Sequence, residues 1–191
     1  MTSLDRARAT ERSKYLQLKQ WMPQYGASNH GGDATPYVLN KSPQFVVDFG
    51  CGRNNFIENL KSNGIKGAGV DFAYDEADIK APMHKVPLED NCADFITAFD
   101  SLEHLLPQEV GAVFKEMHRI AKPKAAYIFS ISYVPSNIVV HRQNLHPTVH
   151  PEEWWVKQIR EFATVSKLNN YLKGFFRYNI ITNNHNEQNK A

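Results

Sequence analysis

The stretch Val46-Val47-Asp48-Phe49-Gly50-Cys51-Gly52-Arg53-Asn54-Asn55 decides the fold. Its apolar run, Phe45 to Phe49, reads as a short buried strand and passes directly into two glycines separated by one residue. Residues 55–63 then read as a helix, with Phe56 and Leu60 one turn apart and Gly64 as the stop. A strand, glycine turn and helix in that order lets bare backbone approach a ligand at the strand's carboxyl end, because neither Gly50 nor Gly52 has a side chain in the way. Cys51 is read as a small turn residue there, not as a nucleophile, since nothing in the sequence pairs with it.

Outward from this unit the pattern keeps alternating. Residues 66–72 and 94–99 read as strands, and a helix follows Pro107 on an apolar face of Val110, Val113, Phe114, Met117, Ile120 and Ala121. It stops near Pro123, and residues 125–133 read as another strand. Upstream, a loose or helical arm leads to a helical stripe (Tyr15, Leu16, Leu18, Trp21, Met22) that ends at Pro23. Tyr25 to Asp33 is too glycine-rich for a regular element. Downstream, a helix from Glu152 to about Phe162 and two strands, around 162–167 and 174–182, close the pattern. Such alternation predicts an α/β, Rossmann-like, doubly wound fold: a mostly parallel sheet of about seven strands with helices on both faces. Residues 1–40 are read as an N-terminal helical arm and loop, 41–182 as one domain, and 183–191 as a polar tail expected to be disordered.

Bulk properties narrow the class. A chain of 191 residues with 42% hydrophobic and 22% charged residues fits one globular domain. Basic residues number 22 against 20 acidic, a net charge of +2, so a nucleic-acid partner is not indicated. The two cysteines, Cys51 and Cys92, point to a reducing compartment. The N-terminal MTSLDRARATERSKY lacks the apolar run of a signal peptide, and no stretch reaches the length of a membrane span. A cytoplasmic protein is expected.

Roughly 20 residues after the glycine turn, Gly69-Val70-Asp71 places a carboxylate where ribose hydroxyls would lie. A dinucleotide fingerprint would ask for a third glycine at position 55, which is Asn55, and has no use for the acid Asp48. Asp48 repels a pyrophosphate but suits a ligand with a cationic amino group. S-adenosylmethionine carries such a group, a ribose and a positive sulfonium, and the electrostatics favour it over NAD.

From about Gln44 to Phe162 the chain resembles the class I S-adenosylmethionine-dependent methyltransferases. Asp48-Phe49-Gly50-Cys51-Gly52 is similar to their first motif and Val70-Asp71, followed by Phe72, to their second. Asp78-Ile79 matches the place where an acid and an apolar neighbour hold adenine, and Phe99-Asp100-Ser101-Leu102-Glu103-His104-Leu105 the segment bordering the methyl group. The resemblance therefore implies cofactor contacts at Asp48, Gly50, Cys51, Gly52, Asp71, Phe72, Asp78, Ile79, Phe99 and Asp100. It departs at Asn54, where many members have glycine.

The acceptor side is less defined by pattern. His104 is a candidate general base at the sheet's carboxyl edge, or else a structural hydrogen-bonding residue. The run from His141 to His150, with Trp154 after it, is read as a wall of the acceptor pocket because it follows the fifth strand. His146 and Trp154 are its substrate candidates, with His30 and Tyr25 contributed by the N-terminal loop. The histidine spacings match no helical ligand pair, and no metal is expected. The expected activity is methyl transfer to oxygen or nitrogen of a small molecule or glycan. Two alternatives stay open: a cofactor-binding protein without turnover, and a nucleic-acid methyltransferase. The second is disfavoured because Phe99-Asp100-Ser101-Leu102 stands where DNA amino-methylating enzymes carry (D/N/S)PP(Y/F/W).

Overall fold

The structure, a computed structural model, describes residues 3–167 and 176–182, with side chains described through residue 163. The tail at 183–191 lies outside the described residues. Helix α1 spans Ser3–Trp21 and α2 Thr35–Lys41; β1 (Phe45–Phe49), α3 (Asn55–Ser62) and β2 (Lys66–Val70) follow. Then come β3 (Ala93–Phe99), α4 (Val110–Ile120), β4 (Ala121–Ser132), the two-residue strands β5 (Val139–Val140) and β6 (Gln143–Asn144), α5 (Glu152–Arg160), β7 (Thr164–Lys167) and β8 (Phe176–Thr182). No described helix is long and apolar enough to cross a membrane.

The main sheet has the order β2-β1-β3-β4-β8-β7. Strands β2, β1, β3 and β4 pair in parallel, whereas β8 is antiparallel to both β4 and β7. The alternation of side chains along a strand explains the two cores. Val46, Phe95 and Ile128 point to the face covered by Phe56, Ile57 and Leu60 of α3, and Ala34 and Val38 join them there. Val47, Ile96 and Phe129 point to the opposite face, covered by Val113, Phe114 and Met117 of α4 and by Trp155 and Ile159 of α5.

Three differences from the sequence expectation bear on the site. Among the described residues the sheet has six strands, not about seven, and beyond β2 the pairing is a single parallel bridge, Val70 to Ile79. Ala81 turns back onto the Ile79 carbonyl and Pro82 follows, so no ladder extends there. The arm and the helical stripe are one continuous helix, α1. Helix α2 was not anticipated; only seven residues long, it is held by Val38, which is fully buried under the sheet.

Candidate active site

The glycine turn forms because β1 ends against β2: the Gly50 and Cys51 amides both donate to the Val70 carbonyl, at 2.8 and 3.2 Å. Gly50, Gly52 and Asn54 all have positive φ, of 77°, 53° and 65°. Asparagine is among the few non-glycine residues that adopt this conformation readily, so Asn54 keeps the turn the family makes with glycine. Its Nδ2 donates to Asp78 at 2.8 Å. Asp71, at the end of β2, accepts the Gly52 amide on Oδ2 (3.2 Å) and the Ala73 and Tyr74 amides on Oδ1 (2.7 and 3.3 Å). Asp48 is buried, and its Oδ1 accepts from the Thr97 hydroxyl at 2.7 Å. Burial, with the nearby Asp71 charge adding to it, pushes the Asp48 carboxyl up to about 6 against the opposing Thr97 bond.

A strap from the N-terminal region lies over this turn. The Arg53 side chain donates to the Pro23 carbonyl, Tyr74 Oη to that of Tyr25 (2.8 Å), the Arg53 amide to that of Gly26 (3.0 Å) and Asn55 Nδ2 to that of Ala27 (2.6 Å). Asn55, where a dinucleotide site would have glycine, is thus an anchor for the strap.

Under the strap a cavity of about 1030 Å³ opens at the carboxyl ends of the parallel strands. Of the expected cofactor residues, Asp48, Gly50, Cys51, Gly52, Asp71, Phe72, Phe99 and Asp100 line it. Asp78 and Ile79 do not. Asp78 turns away to accept from Asn54, the Gly69 amide (3.0 Å) and Lys61 (2.7 Å), and Ile79 is spent on the bridge to Val70. The next residues, Lys80 to His84, take the wall position instead. Burial and the surrounding carboxylates push the Cys51 thiol far above its ordinary value.

On the β3–β4 side, His30 Nδ1 lies 2.8 Å from Asp100 Oδ2, and Asp100 Oδ1 accepts the Ser130 hydroxyl at 2.6 Å. This bond to Asp100 raises the His30 pKa against a smaller opposing effect of burial. His104 behaves oppositely. Its Nδ1 sits 2.9 Å from the Leu145 carbonyl and 2.7 Å from the Tyr15 hydroxyl, and burial, with His146 nearby, pushes its pKa down to about 3. Such a ring is a poor proton acceptor, whereas the carboxylate beside His30 favours its protonated form. Glu103, beside His104, is fully buried and pushed up to about 8 by burial and then by Asp100.

The run expected to form the acceptor wall is corrected in part. His141 and Arg142 make the tight turn of the β5–β6 hairpin, with φ of 51° and 62°, and point away. Trp154 stacks on His150 at 4.0 Å and packs on the core beneath α4. Of this region only His146 reaches the cavity; the rest of that wall is Val134 to Ile138, directly after β4. The inner face of α1, through residues such as Glu11 and Tyr15, completes the lining. Its polar, mixed-charge sequence gave no sign of this.

Residues 32–173 match the methyltransferase domain family. The chain belongs to that family. Among solved structures, the methyltransferase is similar to the PH0226 protein of Pyrococcus horikoshii OT3 (17% identity, 87% of this chain and 98% of that one covered, TM-score 0.70). It is also similar to the Burkholderia thailandensis 1,6-didemethyltoxoflavin-N1-methyltransferase, solved with 1,6-didemethyltoxoflavin and S-adenosylhomocysteine (17% identity, 95% and 90% covered, TM-score 0.69). A third is the N-methyltransferase NodS of Bradyrhizobium japonicum WM9, solved with S-adenosylhomocysteine (13% identity, 81% and 85% covered, TM-score 0.61). No curated relative matches the chain. At these identities the likeness establishes the methyltransferase fold.

Proposed function

We propose that this methyltransferase takes a methyl group from S-adenosylmethionine and transfers it to oxygen or nitrogen of a small molecule or glycan. The carrying observation is that one cavity holds two carboxylates at the glycine turn and, across it, the His30–Asp100 pair. Its volume, about 1030 Å³, lies at the top of the range for small-molecule sites and has room for a donor beside an acceptor. The residues present fit the donor. Asp48 and Asp71 bring negative charge to a ligand carrying a cationic amino group, a sulfonium and a ribose. When bound, the cofactor supplies an electrophilic methyl carbon on positive sulfur. Asp71 takes the ribose hydroxyls, Asp48 faces the amino-acid end, and His30 accepts the acceptor's proton. Residues of the strap and of α1 form part of the cavity wall. The relatives that carry S-adenosylhomocysteine support the same donor. The test is conversion of S-adenosylmethionine to S-adenosylhomocysteine with a panel of hydroxyl and amine acceptors; binding without turnover across that panel favours the non-catalytic alternative.

Two binding predictions follow from the carboxylates. Asp71→Asn keeps an oxygen for the Ala73 amide but loses the charge, and should weaken cofactor binding by about 1.5–3 kcal/mol, roughly 10- to 150-fold. Calorimetry giving wild-type affinity with an unchanged melting temperature would remove Asp71 from the site. For Asp48 the sign follows from its raised pKa of about 6. A positive ligand favours the ionised carboxylate, so affinity is full above that value and falls as the pH drops through it. Titrations at about pH 5 and about pH 7.5 should differ in that direction; in Asp48→Asn that part of the dependence should vanish.

A further inference from the structure

We infer that Glu103, His104 and His146 form a binding site for a divalent transition-metal cation of the Zn²⁺ type, on the β3–β4 side of the cavity. Glu103 and His104 lie in the 3₁₀ turn Leu102–His104 that follows β3, and His146 lies beyond the β5–β6 hairpin. Each offers one ligand atom, and these atoms all lie within 4.8 Å of one another. The sequence showed no metal pattern because the fold, not a local motif, joins the two segments.

The hydrogen bonds around the three residues prepare them for this task. The Leu145 carbonyl, 2.9 Å from His104 Nδ1, only accepts, so that nitrogen carries the hydrogen; the Tyr15 hydroxyl at 2.7 Å shares it as a second acceptor. The Val134 carbonyl fixes His146 Nδ1 in the same way at 2.8 Å. Both rings are therefore left with a lone pair on Nε2. A ring whose other nitrogen donates to a main-chain carbonyl is the usual outer arrangement of a metal-bound histidine. The carboxylate supplies the independent observation. Glu103 is fully buried, and its Oε1 accepts the Ser132 amide at 3.1 Å, whereas its Oε2 is buried and has no hydrogen-bond partner among the described residues. A carboxyl oxygen in that condition either keeps a proton or takes a cation in the proton's place.

Two imidazoles and one carboxylate suit Zn²⁺, Co²⁺ or Fe²⁺, whereas Mg²⁺ and Ca²⁺ prefer all-oxygen sets. Three protein ligands leave coordination open, and all three residues line the cavity. The open position takes an oxygen of the acceptor; that clause rests on the proposed function, whereas cation binding does not.

The test uses the full chain, treated with chelator and titrated with Co²⁺ while visible absorption is followed, then with Zn²⁺ in competition. One equivalent of Co²⁺ should bind with ligand-field bands, and Zn²⁺ should displace it. Glu103→Gln and His146→Ala should each weaken binding by about 100-fold or more, the upper end of what even supporting residues cost. His141→Ala, on the exposed hairpin turn, should leave the titration unchanged. His146 is only partly buried, so His146→Ala keeps the test decisive if Glu103→Gln unfolds the chain. Absence of a band at one equivalent overturns the site, as does a band that survives His146→Ala. Tight Co²⁺ binding without any methyl transfer would sink the proposed function and leave the cation site standing.

Discussion

Gly52→Val should abolish measurable S-adenosylmethionine binding while leaving the sheet and its helices in place. The reason is in the protein before any ligand is considered. A Cβ at position 52 would stand 2.7 Å from the Gly26 carbonyl oxygen, and the backbone there has a φ of 53°, a region that β-branched residues avoid. The sequence reading assigned this glycine to close approach of a ligand; the first obstacle is the strap. Either the turn changes conformation, which withdraws the Gly52 amide from Asp71, or the strap lifts, which breaks the Arg53-to-Gly26 bond and opens the cavity. Both outcomes remove cofactor contacts. Gly50 is constrained in the same sense, since its Cβ would meet Ser101 Cβ at 2.4 Å and Met83 Cε at 2.7 Å. Calorimetry should find no binding for Gly52→Val, circular dichroism should be near wild type, and the melting temperature should fall only modestly. Gly52→Ala, with one carbon in the same place, should fall between the two. Wild-type affinity in the valine variant would mean that the strap and turn are not the cofactor site.

The parts of this molecule that could be read from sequence are those written locally. Strand, glycine turn and helix lie within about 20 consecutive residues, and the period-2 and period-3.6 patterns there agree with each other. The position of Asp71 beside the glycine turn is legible because the end of a strand has a fixed place relative to its parallel neighbour. The cofactor contact at Asp78 is implied by the family resemblance, not by local spacing. Beyond β2 the pairing is one bridge, the chain turns after Ile79, and Lys80 to His84 line the cavity. The wall after β4 was displaced for a related reason: His141 and Arg142 make a hairpin turn without glycine or asparagine, so no turn signal warned that the run folds back on itself. The contacts on which the proposals rest, His30 with Asp100 and His104 with His146, join segments far apart in the chain. No spacing rule reaches them.

His30→Ala should slow methyl transfer by roughly 10²- to 10⁴-fold, the usual contribution of a general base. Nδ1 of His30 lies against Asp100, and Nε2 is the ring nitrogen to which the proposed function assigns the acceptor's proton. Asp100 is itself held at the end of β3, where the Ser130 hydroxyl donates to its Oδ1 and accepts its backbone amide. Only the neutral ring can accept a proton. Because Asp100 raises the His30 pKa, the acid limb of kcat/KM should lie above the ordinary histidine value of about 6.5. Activity should rise as the pH passes upward through that limb. Asp100→Asn tests the assignment cleanly, since asparagine tolerates the positive φ of 48° at this position and keeps an oxygen for Ser130. Without the carboxylate charge the ring loses its proton more easily, so the limb should move to lower pH while the plateau rate falls. In His30→Ala the limb should disappear, and the deficit should shrink at high pH as the acceptor ionises unaided. His104 offers the contrast: with a pKa near 3 it crosses no protonation step in the assay range, and His104→Gln should leave the limb where it was. A His30→Ala enzyme that retains both the wild-type rate and the wild-type limb would show that proton removal is handled elsewhere or is not needed, as for an amine acceptor that arrives already neutral.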